Sequence, residues 1–177
     1  MNSKLLGVTM LFLVGCGGGC KENKPTQQPM TQSEVEESLI DMHRQNVADE
    51  DSRILGFIKE KGWNTQKTET GLHYEIYQSA GAALIESGSA VLADYSIQLL
   101  DGTVCYSSDE RGELEFIVGM ADLPTGIHEC VQLLGKGDKC RMVLPARLGY
   151  GLSGDQDKIP GNAALWIDMH VKDVLKP

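Results

Sequence analysis

Tyr150 stands between Gly149 and Gly151, where a phenol is held by neighbours that add no side-chain packing of their own. A packing-only role is less natural for a tyrosine placed this way, and a functional one is favoured. Other chemistry is harder to build. His43, His73, His128 and His170 share no close ligand spacing, and His73 and His170 fall on the polar sides of alternating segments, so surface histidines are expected and no metal centre. Ser107-Ser108 has no glycine elbow and no positioned base, which argues against a hydrolase. Gly17-Gly18-Gly19 is followed by no Lys-Ser/Thr and opens no helix, so it is not a phosphate loop. The net charge of -9, from 16 basic and 25 acidic residues, leaves no basic stripe for nucleic acid.

One cysteine reads as a modification site. Residues 1–15 have a basic start at Lys4 and an apolar run from Leu5 to Val14, too short for a permanent span of roughly 20 residues. They end in Leu13-Val14-Gly15-Cys16, which resembles the bacterial lipobox, so a mature chain beginning at an acylated Cys16 is expected; a plain signal peptide with an incidental cysteine is the alternative. Cys20, after three glycines, is a poorer candidate. The spacing of Cys20, Cys105, Cys130 and Cys140 matches no zinc pattern and fixes no disulfide connectivity; small buried hydrophobes are the first reading, with a Cys130–Cys140 bridge as the other.

The elements that must position Tyr150 follow from periodicity. Residues 16–32 have no apolar repeat and read as a flexible tether. Residues 33–66 read as helical: Thr31 and Glu34 have capping-box spacing, and Val35, Leu39 and Met42 share a face that Ile54, Leu55 and Ile58 extend. One interrupted helix or two short ones should end near Gly62 and dock on the main domain, dimerisation through the same face being the alternative. Residues 67–177 form that domain. There the period changes to two: Leu72, Tyr74, Ile76; Val91 to Leu99; Leu114, Phe116, Val118; Cys140, Met142, Leu144; Leu165, Ile167, Met169, Val171. Ile127, Val131 and Leu134 mark a short helix beginning near Pro124. The predicted class is α+β, an antiparallel sheet with one wet face wrapped around one short helix, preceded by a helical extension.

These residues resemble the FKBP-type peptidyl-prolyl cis-trans isomerase family. The resemblance runs from Thr70-Gly71-Leu72-His73-Tyr74 through Asp94-Tyr95-Ser96, Leu100-Asp101-Gly102-Thr103, Ser107-Ser108, Phe116-Ile117-Val118-Gly119, Leu134-Gly135-Lys136-Gly137-Asp138, Leu144-Pro145 and Gly149-Tyr150-Gly151 to Ile159-Pro160-Gly161-Asn162-Ala163 and Ile167-Asp168. With the lipobox and helical prefix, it is similar to the envelope lipoprotein branch. The resemblance implies a protein-folding catalyst for exported proteins, acting on Xaa-Pro bonds of extended polypeptides without cofactor or metal. It also implies a lipid-anchored, periplasm-facing place in the bacterial envelope; Gly17 is not the aspartate that retains lipoproteins at the inner membrane, which favours the outer one.

By the same resemblance Tyr150 supplies a catalytic hydroxyl, Tyr95 a catalytic pocket wall and Ile159 the rim; Tyr95 also suits a plain core role on its alternating strand. The departures are equally specific. Cys105-Tyr106 replaces Phe-Asp, leaving Arg111 without its carboxylate partner, and Leu114 stands where an aromatic is common. Leu123-Pro124 replaces Val-Ile, removing a backbone donor; Ile127 replaces the tryptophan floor and Ile167 a phenylalanine. Weak isomerase activity and weak binding of the family's macrolide ligands are therefore expected, and a non-catalytic peptide-binding or assembly lipoprotein is the rival reading.

Overall fold

The computed structural model describes residues 31–175. Cys16, Cys20, the signal segment and residues 16–30 of the expected tether lie outside these residues; the last two tether positions, Thr31 and Gln32, are instead the N-cap and first residue of a helix.

The first element is one continuous helix, α1, Gln32–Lys61. It is neither interrupted nor split in two as expected, running unbroken through the acidic residues Asp49, Glu50 and Asp51. Its N-terminus is closed by Glu34, whose carboxylate accepts the Thr31 N–H at 2.8 Å and the Thr31 hydroxyl at 2.9 Å. Gly62, with φ 67°, ends it in the left-handed conformation that glycine adopts without strain.

A seven-stranded antiparallel sheet follows, made of β1 (Gln66–Lys67), β2 (His73–Gln78), β3 (Ala90–Leu99), β4 (Val104–Ser107), β5 (Leu114–Ile117), β6 (Lys139–Leu144) and β7 (Leu165–Leu175). The order is β1-β2-β6-β7-β3-β4, with β5 also on β3. β7 runs beside β3 from the Ala90–Leu175 pair to the Leu99–Leu165 pair. The other edge of β3 is shared, β5 covering Ala90 to Ala93 and β4 covering Ser96 to Gln98. Between β4 and β5 sits one short helical turn, α2 (Ser108–Arg111), which periodicity does not signal.

The concave face closes over α3 (Thr125–Val131), whose Ile127, Cys130 and Val131 are fully buried against Val91, Ala93, Met142, Leu144, Leu165, Ile167 and Met169. This is the predicted α+β arrangement. Alternation works because one inward side chain in two meets the same helix.

The opposite face is not uniformly wet. Val143, Trp166 and His73 project to that side, and Ile54, Phe57 and Ile58 of α1 pack on it with Trp63 and Leu100. Phe57, Trp63 and Trp166 form an aromatic cluster with centroid separations of 5.3, 5.3 and 6.2 Å. The predicted docking stripe therefore needs correction: Leu55 is exposed and Phe57 takes its part, because 54, 57 and 58 share a face that 55 leaves. The stripe in the first half of α1 docks on nothing among the described residues, with Leu39 58% and Met42 55% exposed.

Candidate active site

A hollow of about 420 Å³ opens where the ends of several elements converge. It is lined by Tyr95 and Ile97 of β3, Tyr106 of β4, Arg111, Leu114, Leu123, Ile127, Tyr150, Asp155 and Asp157. Ile127 rises from α3 and is fully buried, which makes it the floor.

Tyr95 lies at the gap where β3 exchanges one neighbour for the other. The Ser108 hydroxyl closes that gap: its oxygen accepts the Tyr95 N–H at 2.6 Å and lies 3.2 Å from the Tyr95 carbonyl. The second of the paired serines thus has a structural duty, supplying bonds no strand provides there.

Tyr150 follows a 3₁₀ turn, Ala146–Leu148. The Ala146 carbonyl accepts both flanking amides, Gly149 N–H at 3.0 Å and Gly151 N–H at 2.8 Å. The phenol is half-buried, and no hydrogen bond among the described residues engages its hydroxyl. Burial, and then the negative charge of Asp155, push its pKa above the usual tyrosine value. The group stays a protonated donor facing the hollow.

The mouth is built from a loop that sequence reasoning did not single out. The Asp155 Oδ1 accepts Asp157 N–H at 2.9 Å and Ile159 N–H at 2.8 Å, while its Oδ2 accepts the Tyr106 hydroxyl. Tyr106 also lies 3.2 Å from Asp157 Oδ2. Arg111 stacks over the Tyr106 ring at 3.9 Å and pairs with Asp157 at 3.7 Å. So Arg111, expected to lack a partner, has one: the carboxylate absent from position 106 is provided by Asp157, while Asp155 holds the Tyr106 hydroxyl. Partial burial raises the Asp155 pKa, but the bonds from Tyr106 and the two amides outweigh it and hold the carboxyl below the usual range. Asp155 capturing the amide two residues on is an Asx turn, and Gly154-Asp155 was the available sequence signal. A Cβ at Gly154 would collide with the Ile159 carbonyl, so the loop closes only around glycine there.

Of the residues expected in the pocket, Tyr95, Tyr150, Tyr106, Leu114, Leu123 and Ile127 line it. Cys105, Ile159 and Ile167 do not; they are buried in the core behind the wall. Ile167 points inward from the central strand β7, and Ile159 is turned inward by the Asp155 bond to its amide. Pro124 is buried as the N-cap of α3, its carbonyl accepting the Ile127 N–H at 3.0 Å. Proline has no N–H to present to a ligand.

Two histidines depart from the surface expectation. His128 Nδ1 accepts Gly119 N–H at 3.0 Å and Nε2 lies 3.1 Å from the Ala121 carbonyl, bracing the turn before Leu123. His73 is buried because α1 covers its side of the sheet, and burial, with Lys67 adding to it, pushes its pKa down. Among the described residues no group of His, Cys, Asp or Glu could hold a metal ion. Cys130 and Cys140 are free buried thiols whose sulfurs lie 3.6 Å apart.

Residues 81–172 match the model of the FKBP-type peptidyl-prolyl cis-trans isomerase family. A probable FKBP-type peptidyl-prolyl cis-trans isomerase of Haemophilus influenzae is 36% identical over 115 residues, covering 64% of this chain and 47% of the relative. The FKBP-type isomerase FkpA of Aeromonas hydrophila is 35% identical over 112 residues, 63% of this chain and 41% of the relative. These matches span less than half the length of either relative. The crystal structure of FkpA from Escherichia coli superposes with a TM-score of 0.65 at 26% identity, over 83% of this chain and 74% of that one. A peptidyl-prolyl isomerase structure from Pseudomonas syringae pv. tomato shares the fold, with a TM-score of 0.64 at 19% identity, over 75% of this chain and 96% of that one.

Proposed function

Because this chain belongs to the FKBP-type peptidyl-prolyl cis-trans isomerase family, we propose that it rotates Xaa-Pro peptide bonds in extended polypeptides. The carrying observation is the largely apolar hollow over Ile127, with the Tyr150 phenol facing it and no competing partner for its hydroxyl among the described residues. Rotation must cross a barrier of about 18–20 kcal/mol set by amide resonance. At the top of that barrier the nitrogen is pyramidal and the amide has lost conjugation. A largely apolar hollow that accepts the twisted prolyl bond, and a phenol donating to a neighbouring substrate carbonyl, both favour this geometry over the planar one. Neither nucleophile nor cofactor enters.

The activity is weak. Pro124 withdraws a backbone donor, and the floor at Ile127 lacks an aromatic plane. One missing bond of this kind costs about 1–3 kcal/mol if it acts in the transition state, roughly 5- to 150-fold. The test is NMR exchange spectroscopy on a proline peptide with the full chain. Wild type should accelerate exchange and Tyr150→Phe should lose about tenfold or more. Peptide binding with no acceleration would support the rival reading, a non-catalytic peptide-binding lipoprotein, which Pro124 favours.

We further propose that the chain is anchored through an acylated Cys16 in the bacterial envelope, facing the periplasm and more consistent with the outer than the inner membrane. Radiolabelled palmitate should enter wild type and not Cys16→Ala. The exposed Val35, Leu39 and Met42 on α1 support self-association of two copies through this half of the helix. Sedimentation should show a dimer that Leu39→Glu converts to monomer.

A further inference from the structure

We infer that Glu50 is a positioning residue for the Tyr150 phenol, acting from α1 through the peptide that joins Pro145 to Ala146. The inference rests on the proposed isomerase reading. Glu50 heads the docked stripe of α1, whose other members, Ile54, Phe57 and Ile58, are apolar. A carboxylate buried at the start of such a stripe is costly unless a donor meets it. The donor is the Ala146 N–H, 2.6 Å from Glu50 Oε1 and 96 positions along the chain.

That one bond stands behind the whole turn. The peptide that donates to Glu50 carries the Pro145 carbonyl, which accepts Leu148 N–H at 2.9 Å and Gly149 N–H at 3.2 Å. The next carbonyl, that of Ala146, accepts Gly149 and Gly151, the two residues that bracket Tyr150. A charged acceptor at one end of a peptide polarises it and strengthens the bonds its carbonyl receives. Glycines have no side chains with which to hold themselves, so the direction of the Tyr150 ring depends on these backbone bonds. Glu50 therefore couples the docked half of α1 to the donor in the hollow without touching substrate.

The experiment compares Glu50→Leu, which keeps side-chain bulk in the apolar stripe and removes the acceptor, with Glu50→Gln, which retains an acceptor oxygen. In the full chain, Glu50→Leu should lower kcat/KM for a proline peptide about tenfold, mostly through kcat, and Glu50→Gln should restore most of it. Introduced into Tyr150→Phe, Glu50→Leu should have little further effect, because the hydroxyl it positions is already gone. Amide hydrogen exchange at Gly149 and Gly151 should quicken in Glu50→Leu and return toward wild type in Glu50→Gln. Unchanged kcat/KM in Glu50→Leu, a full additional loss in the Tyr150→Phe background, or glycine amides indifferent to the substitution would each overturn the inference. If wild type itself does not accelerate the exchange of a proline peptide, the isomerase reading falls, and the glycine amides alone decide whether Glu50 holds the turn.

Discussion

The Tyr106 hydroxyl donates to the Asp155 carboxylate across 49 residues of chain, and the Arg111 guanidinium lies over the same phenol ring. A side chain from β4 is thereby tied to the loop that forms the mouth of the hollow. The bond to Asp155, with burial adding to it, pushes the Tyr106 pKa up to about 12, while Asp155 is held below the usual carboxylate range. Both shifts favour the same protonation state of the pair. The lowered Asp155 value contributes stability that is present above the ordinary aspartate pKa of about 3.9 and lost as pH falls through the folded value. The raised Tyr106 value contributes stability present below about 10 and lost as pH rises from there toward 12. The Ile159 and Asp157 amides should accordingly be protected from hydrogen exchange across this window and released on either side. Asp155→Ala should release them throughout and return the Tyr106 phenol toward about 10 in an alkaline spectrophotometric titration.

His73 adds a second pH dependence. Its depressed pKa, caused by burial first and by Lys67 second, means that the folded chain resists a proton the unfolded chain accepts near 6.5. Stability from this group is complete above about 6.5 and declines as pH falls toward the folded value. His73→Gln should flatten the thermal midpoint between neutral and mildly acidic pH, whereas a slope identical to wild type would remove His73 as its source.

The seam between α1 and the sheet rests on Phe57, which is buried between Trp63 and Trp166. Phe57→Ala should cost about 3–5 kcal/mol in denaturant unfolding if the gap stays open, less if the indoles relax into it. Both tryptophans of the chain belong to this cluster, so their emission should shift to the red in the variant.

Cys130 and Cys140 are in contact but unbonded, and the Cys130 thiol is pushed up by its hydrogen bond with Cys140 and then by burial. Both are fully buried and should be shielded from an alkylating reagent in the native protein, and the raised pKa of Cys130 also keeps it from the reactive thiolate form. Refolding under an oxidising thiol–disulfide couple should close the pair, with a loss of two hydrogens by mass. Closing so short a loop should raise stability by about 2–3 kcal/mol.

The sheet is legible because its inward side chains share one core with α3, so that Val91, Ala93 and Ile97 alternate with outward positions. Tyr150 was legible from its glycines. Asp155 and Asp157 were not, since their partners Tyr106 and Arg111 are some 50 residues away and nothing local records that pairing. His73 departs from the surface expectation because α1 covers a face that alternation marks as polar, and Phe57 rather than Leu55 completes the docked stripe because it shares the helical face of Ile54 and Ile58. The sequence argues against a nucleophilic role for Ser108 but does not show its task, closing the Tyr95 gap, which exists only once β4 and β5 have taken separate halves of β3.

The sheet is bordered by strands of two residues in β1 and four residues in β4 and β5, and the register of β2 on β6 slips between Ile76 and Gln78. A protein that meets unfolded, strand-forming clients is at risk of being extended by them through unsatisfied backbone groups. Margins this brief and uneven offer such a client no template to zip onto. On the proposed isomerase reading, the domain handles extended chains at its hollow while offering them little edge on which to add a strand.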